Sequence, residues 1–151
     1  MITAATTAVT ATLLTNDVMT KTISFTVSNI YTLAKNIFYT DPSIDLYSLD
    51  KLEKKLDLLF TIKVYDLWIQ EVSNNSKSPS CNEAIIHFKN GLEDIHSILK
   101  QIEEKIKIHK EKWFSGYRSI SFQNEMEELQ SSKTILDQRF NLIQRINGMK
   151  L

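Results

Sequence analysis

Glu93 and His96 are the residues whose types and spacing come closest to a metal site. They stand three positions apart, which is the spacing of the Glu-x-x-His element in carboxylate-bridged di-iron bundles, where positions i and i+3 face the same way. Such a site needs a second element of this kind, and neither His87 nor His109 follows a glutamate by three residues. We therefore expect no metal and no cofactor.

Cys81 and His109 are the other candidates for catalysis. Cys81 falls at a predicted helix start, where a thiolate is stabilised, and His109 falls on the apolar face of the same predicted helix. The sequence names no group that would complete a catalytic set with either one. We predict an exposed, unreactive thiol and a histidine hydrogen-bonded within the fold. Because phosphate-binding glycine loops, zinc-ligand spacing and nucleophile elbows are also missing from the sequence, we do not expect an enzyme.

Lysines beside aromatic residues form a further group around position 110, and such groups bind lipid head groups or nucleic acid. Glutamates are interleaved with them, and Glu103 stands four residues before Lys107. This spacing favours a solvent-exposed surface on which the lysines and glutamates pair with each other. Alternatively, the aromatic residues cover the end of the fold and Arg118 pairs with an acid. Since 18 basic residues balance 18 acidic ones, we expect no specific nucleic acid. The group, called the lysine–aromatic patch, consists of Lys105, Lys107, Lys110, Lys112, Trp113, Phe114, Tyr117 and Arg118.

The elements that position these residues are helices. The chain has 151 residues, of which 42% are hydrophobic, but only three glycines and two prolines, too few turn residues for a β-sandwich or barrel. Apolar residues recur at alternating steps of three and four, which predicts helices over about 17–39, 42–72, 81–114 and 121–147. Four long helices with short connections favour an all-α fold, an antiparallel four-helix bundle.

Local signals set the helix ends and one unusual core position. Residues 73–80 form a polar linker, and Ser80 with Glu83 has the spacing of a capping box. Lys133 stands on the apolar face of the last helix, where a lysine must pair with an acid or extend to solvent.

Residues 60–72 are apolar on more than one side. This pattern predicts deep burial or contact with a partner, for which we name Leu67, Trp68 and Ile69.

Residues 1–16 differ from the rest because they carry six threonines and no charged side chain. The threonines lower helix propensity and interrupt the apolar run that a membrane-spanning helix needs. A mobile arm, a strand-like tail and a helix that orders against a partner all stay open. We divide the chain into an N-terminal arm, 1–16, and a helical domain, 17–151.

A single cysteine and the lack of a secretion signal favour a cytoplasmic or virion-associated protein that is not secreted.

Residues 106–118, followed by a glutamate-rich segment that contains 135–140, resemble small helical proteins found in multiple copies in giant nucleocytoplasmic DNA viruses. The abundance of Ile, Lys and Asn is consistent with an AT-rich genome of that kind. The resemblance implies a viral protein. The predicted architecture is also similar to the amino-terminal four-helix bundle of mixed-lineage-kinase-like pseudokinases, some of which act on membranes.

These observations give three functional hypotheses. The first is a non-enzymatic helical interaction or scaffold protein that docks on a larger protein assembly, or on a second copy of itself, as a small viral structural or host-interacting component. The second is a membrane-associating bundle that uses the N-terminal segment and the lysine–aromatic patch. The third is a metal-dependent enzyme built on Glu93 and His96.

Overall fold

The computed structural model describes residues 2–38, 47–73, 78–112 and 120–149. This part of the chain is helical apart from short turns, and it contains no strand. Its helices are α1 (Ile2–Phe38), α2 (Tyr47–Leu56), α3 (Leu58–Ser73), α4 (Pro79–Glu111) and α5 (Gln123–Gly148). The all-α prediction is confirmed for the described residues.

Helix α1 begins at Ile2, whereas the periodicity predicted a start near residue 17. The predicted start is therefore wrong. Helix propensities of ordinary residues differ by a few tenths of a kcal/mol each, so the threonines weaken a helix here without forbidding one. Residues 2–16 are thus helical in their backbone, while the division into an arm and a domain stays a prediction.

A break at Asp57 separates α2 from α3, so the prediction of one continuous helix over 42–72 is wrong. Asp57 has a left-handed backbone, with φ of 49°, a conformation that aspartate tolerates better than most residues. The Asp57 N–H still donates to the Glu53 carbonyl at 2.8 Å, and the Thr61 N–H donates to the Asp57 carbonyl at 3.0 Å. Backbone hydrogen bonds are therefore preserved on both sides of the break.

Helix α4 begins two residues earlier than predicted. Its N-cap is Ser78, whose hydroxyl accepts a hydrogen bond from the Cys81 N–H at 3.1 Å. Pro79 follows in the first turn, where its missing N–H costs nothing and its fixed φ suits a helix. The predicted capping box of Ser80 and Glu83 is therefore wrong.

The core lies between α4 and the helices packed on it, chiefly α1 and α5. Along α4 the predicted apolar positions from Ile85 to Ile106 are buried, and His109 is half-buried. On α1 the predicted positions from Ile23 to Ile37 are buried as well. The three-and-four spacing therefore identified the inward faces of both long helices.

Contacts between α4 and α5 run in opposite order along the two helices. Lys105, near the end of α4, pairs with Glu125 near the start of α5 at 2.9 Å. Arg139, in the second half of α5, donates to the carbonyl of His87 near the start of α4 at 2.8 Å. The two helices are thus joined along most of their shared length.

Candidate interaction surface

Helix α3 carries large apolar side chains on its solvent side. Phe60, Val64 and Leu67 are 65%, 43% and 55% exposed. Their spacing of four and three places them on one side of the helix. The opposite side is buried in the core through Leu58, Ile62 and Ile69. Helix α3 is therefore apolar on two sides, and one of them faces water.

Helix α1 also exposes large apolar side chains. Val18 and Phe25 are 59% and 67% exposed. They stand seven residues apart, which is about two helical turns, so both lie on the same side of α1. We use the name α1–α3 outer face for the exposed apolar side chains of these two helices. Its members are Val18, Phe25, Phe60, Val64 and Leu67.

A polar cluster holds α1 and α3 in register. The Ser24 hydroxyl donates to the Asp66 carboxylate at 2.8 Å. The Gln70 amide donates to Ser24 Oγ at 2.7 Å and to the Thr20 carbonyl at 3.0 Å. Hydrogen bonds to a carboxylate are stronger than those between neutral groups. Because Phe25 follows Ser24, this cluster fixes the backbone of Phe25 level with the middle of α3.

The outer face has a composition suited to binding a protein. Contiguous apolar patches larger than a few hundred Å² are rare on monomeric proteins, and they often mark sites of interaction. Charged side chains of both signs border the apolar stripe on α3, since Lys63 and Glu71 are both exposed. An apolar centre with a charged rim is the usual anatomy of a protein interface.

The structure separates the three residues that we named as a contact on α3. Leu67 lies on the outer face, whereas Trp68 is half-buried and meets the Phe140 ring edge-on, with 5.2 Å between centroids. Ile69 is fully buried and belongs to the core. Consecutive helical residues point about 100° apart, so a run of three cannot share one surface. Sequence reasoning missed Phe60, although it follows the same three-and-four spacing as Leu67.

The lysine–aromatic patch is only partly within the described residues. Lys107, Lys110 and Lys112 are exposed. Lys105 turns toward α5, where it pairs with Glu125 and its Nζ lies 5.6 Å from the centre of the Phe122 ring. The remaining members, Trp113, Phe114, Tyr117 and Arg118, lie outside the described residues. Over the described ranges, no helix is both long and apolar enough to cross a membrane.

The candidate catalytic residues are not gathered into one site. Glu93 is exposed and pairs with Lys89 at 3.1 Å, while His96 is half-buried. Within the part of the chain that the structure describes, no three His, Cys, Asp or Glu side chains are grouped to hold a metal ion. Cys81 is fully buried, so the prediction of an exposed thiol is wrong. Because α4 starts before it, Cys81 falls in the first turn and faces the core.

Tyr65, Lys133 and Asp137 form a partly buried polar group between α3 and α5. The Tyr65 hydroxyl donates to Asp137 Oδ1 at 2.5 Å, and Lys133 Nζ donates to Asp137 Oδ2 at 2.7 Å. The Tyr65 ring stacks on Phe140, with 3.8 Å between ring centroids. Burial, aided by the hydrogen bond to Asp137, raises the pKa of Tyr65 above its ordinary value. The phenol is therefore held as a hydrogen-bond donor. Of the two arrangements that we expected for Lys133, pairing with an acid is the one found.

Comparison with known proteins finds a viral relative. An uncharacterized protein of Acanthamoeba polyphaga mimivirus is 30% identical to the chain over 85 residues. The match covers 56% of this chain and 40% of the mimivirus protein, so the chain spans less than half the length of that relative. The chain resembles a giant-virus protein. No family model matches it, and no solved structure matches it. The resemblance to giant-virus proteins is thus supported, and the likeness to pseudokinase bundles receives no support.

Proposed function

We propose that the protein is a non-enzymatic helical interaction protein that docks on another protein through the α1–α3 outer face. The observation that carries the proposal is the exposure of Phe25, Phe60 and Leu67 on helices whose opposite sides already form the core. Fully burying one such side chain contributes roughly 1.5–3 kcal/mol. Burial of several of them against a partner would therefore favour association.

Three polar groups that could take part in chemistry have structural partners instead. The Tyr65 hydroxyl and the Lys133 ammonium both donate to Asp137 inside the fold. Glu93 pairs with a neighbouring lysine on the helix surface. These pairings support a role in binding more than a role in chemistry.

The partner in this proposal belongs to a larger assembly, with the protein as a small viral structural or host-interacting component. The mimivirus relative supports the viral part of the proposal. We also propose that the helices form an antiparallel four-helix bundle, in which α2 and α3 together count as one interrupted helix. The opposite order of contacts along α4 and α5 supports that arrangement.

Site-specific photo-crosslinking in cells that produce the protein tests the docking face. A benzophenone amino acid replaces Phe60 in one variant and Gln144, an exposed residue on α5, in a matched control. We expect a discrete protein adduct from position 60 that is absent from position 144 and is lost when Leu67→Asp is added. Equal adducts from both positions, or an adduct that survives Leu67→Asp, would contradict the proposal.

A flotation assay with anionic lipid vesicles distinguishes the docking proposal from the membrane hypothesis. If the protein docks on another protein, we expect the full chain to remain in the fraction that does not bind vesicles. Flotation that Leu67→Asp abolishes would assign the outer face to lipid and overturn the proposal.

A further inference from the structure

We infer that the exposed apolar stripe of α3 binds a second copy of this chain, in a groove between the start of α4 and the end of α5. We use the name α3 ridge for the stripe, which consists of Phe60, Val64 and Leu67. The inference rests on the proposed function because it uses the α3 part of the docking face. It adds the identity of the partner and the surface of that partner that receives the ridge.

The groove lies where the first part of α4 runs beside the last part of α5, and we call it the α4–α5 groove. Its apolar lining consists of Ala84 and Ile86 from α4 and of Leu142 and Ile146 from α5. Its volume is about 410 Å³, which is within the range of binding pockets in proteins. The groove therefore offers apolar side chains from two helices to a partner.

Contacts between α4 and α5 keep the two walls of the groove in place. Arg139 donates from α5 to the carbonyl of His87, a residue that lines the groove, at 2.8 Å. At Gly91 the two helices lie close together, because a Cβ atom placed on this glycine would lie 3.1 Å from Leu136 Cδ1. The walls are therefore fixed before a partner binds.

The ridge and the groove match in form and length. From Phe60 to Leu67 the ridge rises about 10 Å along α3, and from Ser80 to Asn90 the α4 wall rises about 15 Å. An amphipathic helix that lays its apolar face into an apolar groove is a recurring mode of recognition. Because the ridge lies on the side of α3 opposite its own core, it enters the groove of another copy.

Charges beside the ridge and the groove are complementary. Lys63 is exposed beside the ridge, four residues before Leu67, and Glu83 is exposed on the α4 wall. Among the described residues that line the groove, Glu83 is the single acid, and there is no lysine or arginine. With Val64 in the groove, Lys63 of one copy lies beside Glu83 of the next. Opposite charges placed in this way favour the correct partner and register.

The contact joins two different surfaces and is therefore heterologous. A copy that binds through its ridge leaves its own groove free for a further copy, so the contact repeats into an open chain or closes into a ring. A ridge about 10 Å long on a helix about 10 Å wide is far smaller than the roughly 1,600 Å² of a stable complex. We therefore expect reversible association with a dissociation constant on the order of 100 µM.

Sedimentation velocity of the full chain from about 1 µM to about 1 mM measures this association. The weight-average mass of the wild type should rise well above the 17.5 kDa of the monomer. Leu67→Asp blocks the ridge and Leu142→Asp blocks the groove, so each variant alone should stay monomeric. An equimolar mixture of the two keeps one intact ridge and one intact groove, and it should form dimers and nothing larger. Ile108→Asp, a control at an exposed apolar position near the other end of α4, should associate like the wild type.

Charge reversals test the same contact without changing an apolar side chain. Lys63→Glu and Glu83→Lys should each weaken association about fivefold, because each places like charges side by side. The double variant Lys63→Glu/Glu83→Lys restores an opposite pair and should recover the wild-type mass. Circular dichroism at the lowest concentration confirms that each variant is folded before its mass is interpreted.

Several results would overturn the inference. A wild-type chain that stays monomeric at every concentration would do so, and so would a folded Leu142→Asp variant that associates like the wild type. A mixture of folded Leu67→Asp and Leu142→Asp that stays monomeric would exclude the contact between ridge and groove.

The crosslinking experiment separates this inference from the proposed function. An adduct of two chains from position 60 that Leu142→Asp abolishes supports the ridge in the groove. An adduct only with a different protein supports the docking face and overturns this inference, whereas the lack of any adduct from position 60 contradicts both.

Discussion

Removing Asp137 is the substitution whose effect on stability the structure predicts most sharply. Lys133 is 9% exposed, and its ammonium lies 2.7 Å from Asp137 Oδ2. The Tyr65 hydroxyl donates to the same carboxylate. The Asp137 side chain itself is 35% exposed. The pair is thus asymmetric, because the cation is buried while its partner reaches solvent.

Because of this asymmetry, removing Asp137 and removing Lys133 should lower the unfolding free energy by different amounts. Asp137→Ala leaves the buried Lys133 ammonium without its carboxylate, and breaking a buried pair in this way costs about 3–5 kcal/mol. We expect the lower end, about 3 kcal/mol, since a lysine stem can turn its charge toward water. Lys133→Met removes the charge but keeps the length of the side chain, and Asp137 retains water and Tyr65. We therefore expect a loss below about 1 kcal/mol for Lys133→Met.

Urea unfolding followed by circular dichroism at neutral pH measures both losses. Small domains have unfolding free energies of about 5–15 kcal/mol, so a loss of about 3 kcal/mol clearly lowers the transition midpoint. The double variant Lys133→Met/Asp137→Ala has no buried charge left, and it should recover most of the loss caused by Asp137→Ala. Equal losses from the two single variants, or no recovery in the double variant, would refute the reasoning.

Three further predictions concern helix ends and pH. Ser78→Ala should lower the unfolding free energy by about 1 kcal/mol because it removes the N-cap of α4, and Ser80→Ala, its matched control, should have little effect in the same urea assay. At Asp57, whose φ is positive, thermal unfolding should show Gly more stable than Val by about 1–2 kcal/mol. The raised pKa of Tyr65 means that the folded state holds this proton more tightly than the unfolded state. Its contribution to stability is therefore complete below about pH 10 and is lost at higher pH, which urea midpoints should show for the wild type but not for Tyr65→Phe.

The buried faces of the long helices could be predicted because they depend on a repeated signal. The predicted apolar positions from Ile85 to Ile106 are buried, and each of them indicates the same inward face of the helix. Helix breaks and caps that depend on a single residue give no such repeated signal. One left-handed residue at Asp57 divides a helix without disturbing the pattern on either side. Ser78 caps α4 in place of Ser80 because Pro79 suits the first turn, a choice that the spacing of Ser80 and Glu83 does not reveal.

The candidate surface could be predicted only in part because α3 has two apolar stripes. The sequence identified residues 60–72 as apolar on more than one side, but both stripes follow helical spacing. Which stripe turns inward depends on α1 and α5, which lie far from α3 in the sequence. Leu67 is therefore on the outer face, whereas Ile69 is in the core. Phe25 gave no signal because its exposure depends on how α1 rotates against its neighbours.

The polar cluster beside the outer face explains how two helices can present one surface. An apolar contact between α1 and α3 would bury more hydrophobic area, but ridges of similar side chains can also pack one helical turn, about 5.4 Å, out of register. Ser24 reaches both Asp66 and Gln70 across the two helices in the observed register. A slip of one turn would separate Ser24 from Asp66 and leave part-buried polar groups unpaired, which costs about 1–3 kcal/mol for each group. The cluster therefore contributes to the docking face chiefly by fixing where Phe25 lies relative to Leu67.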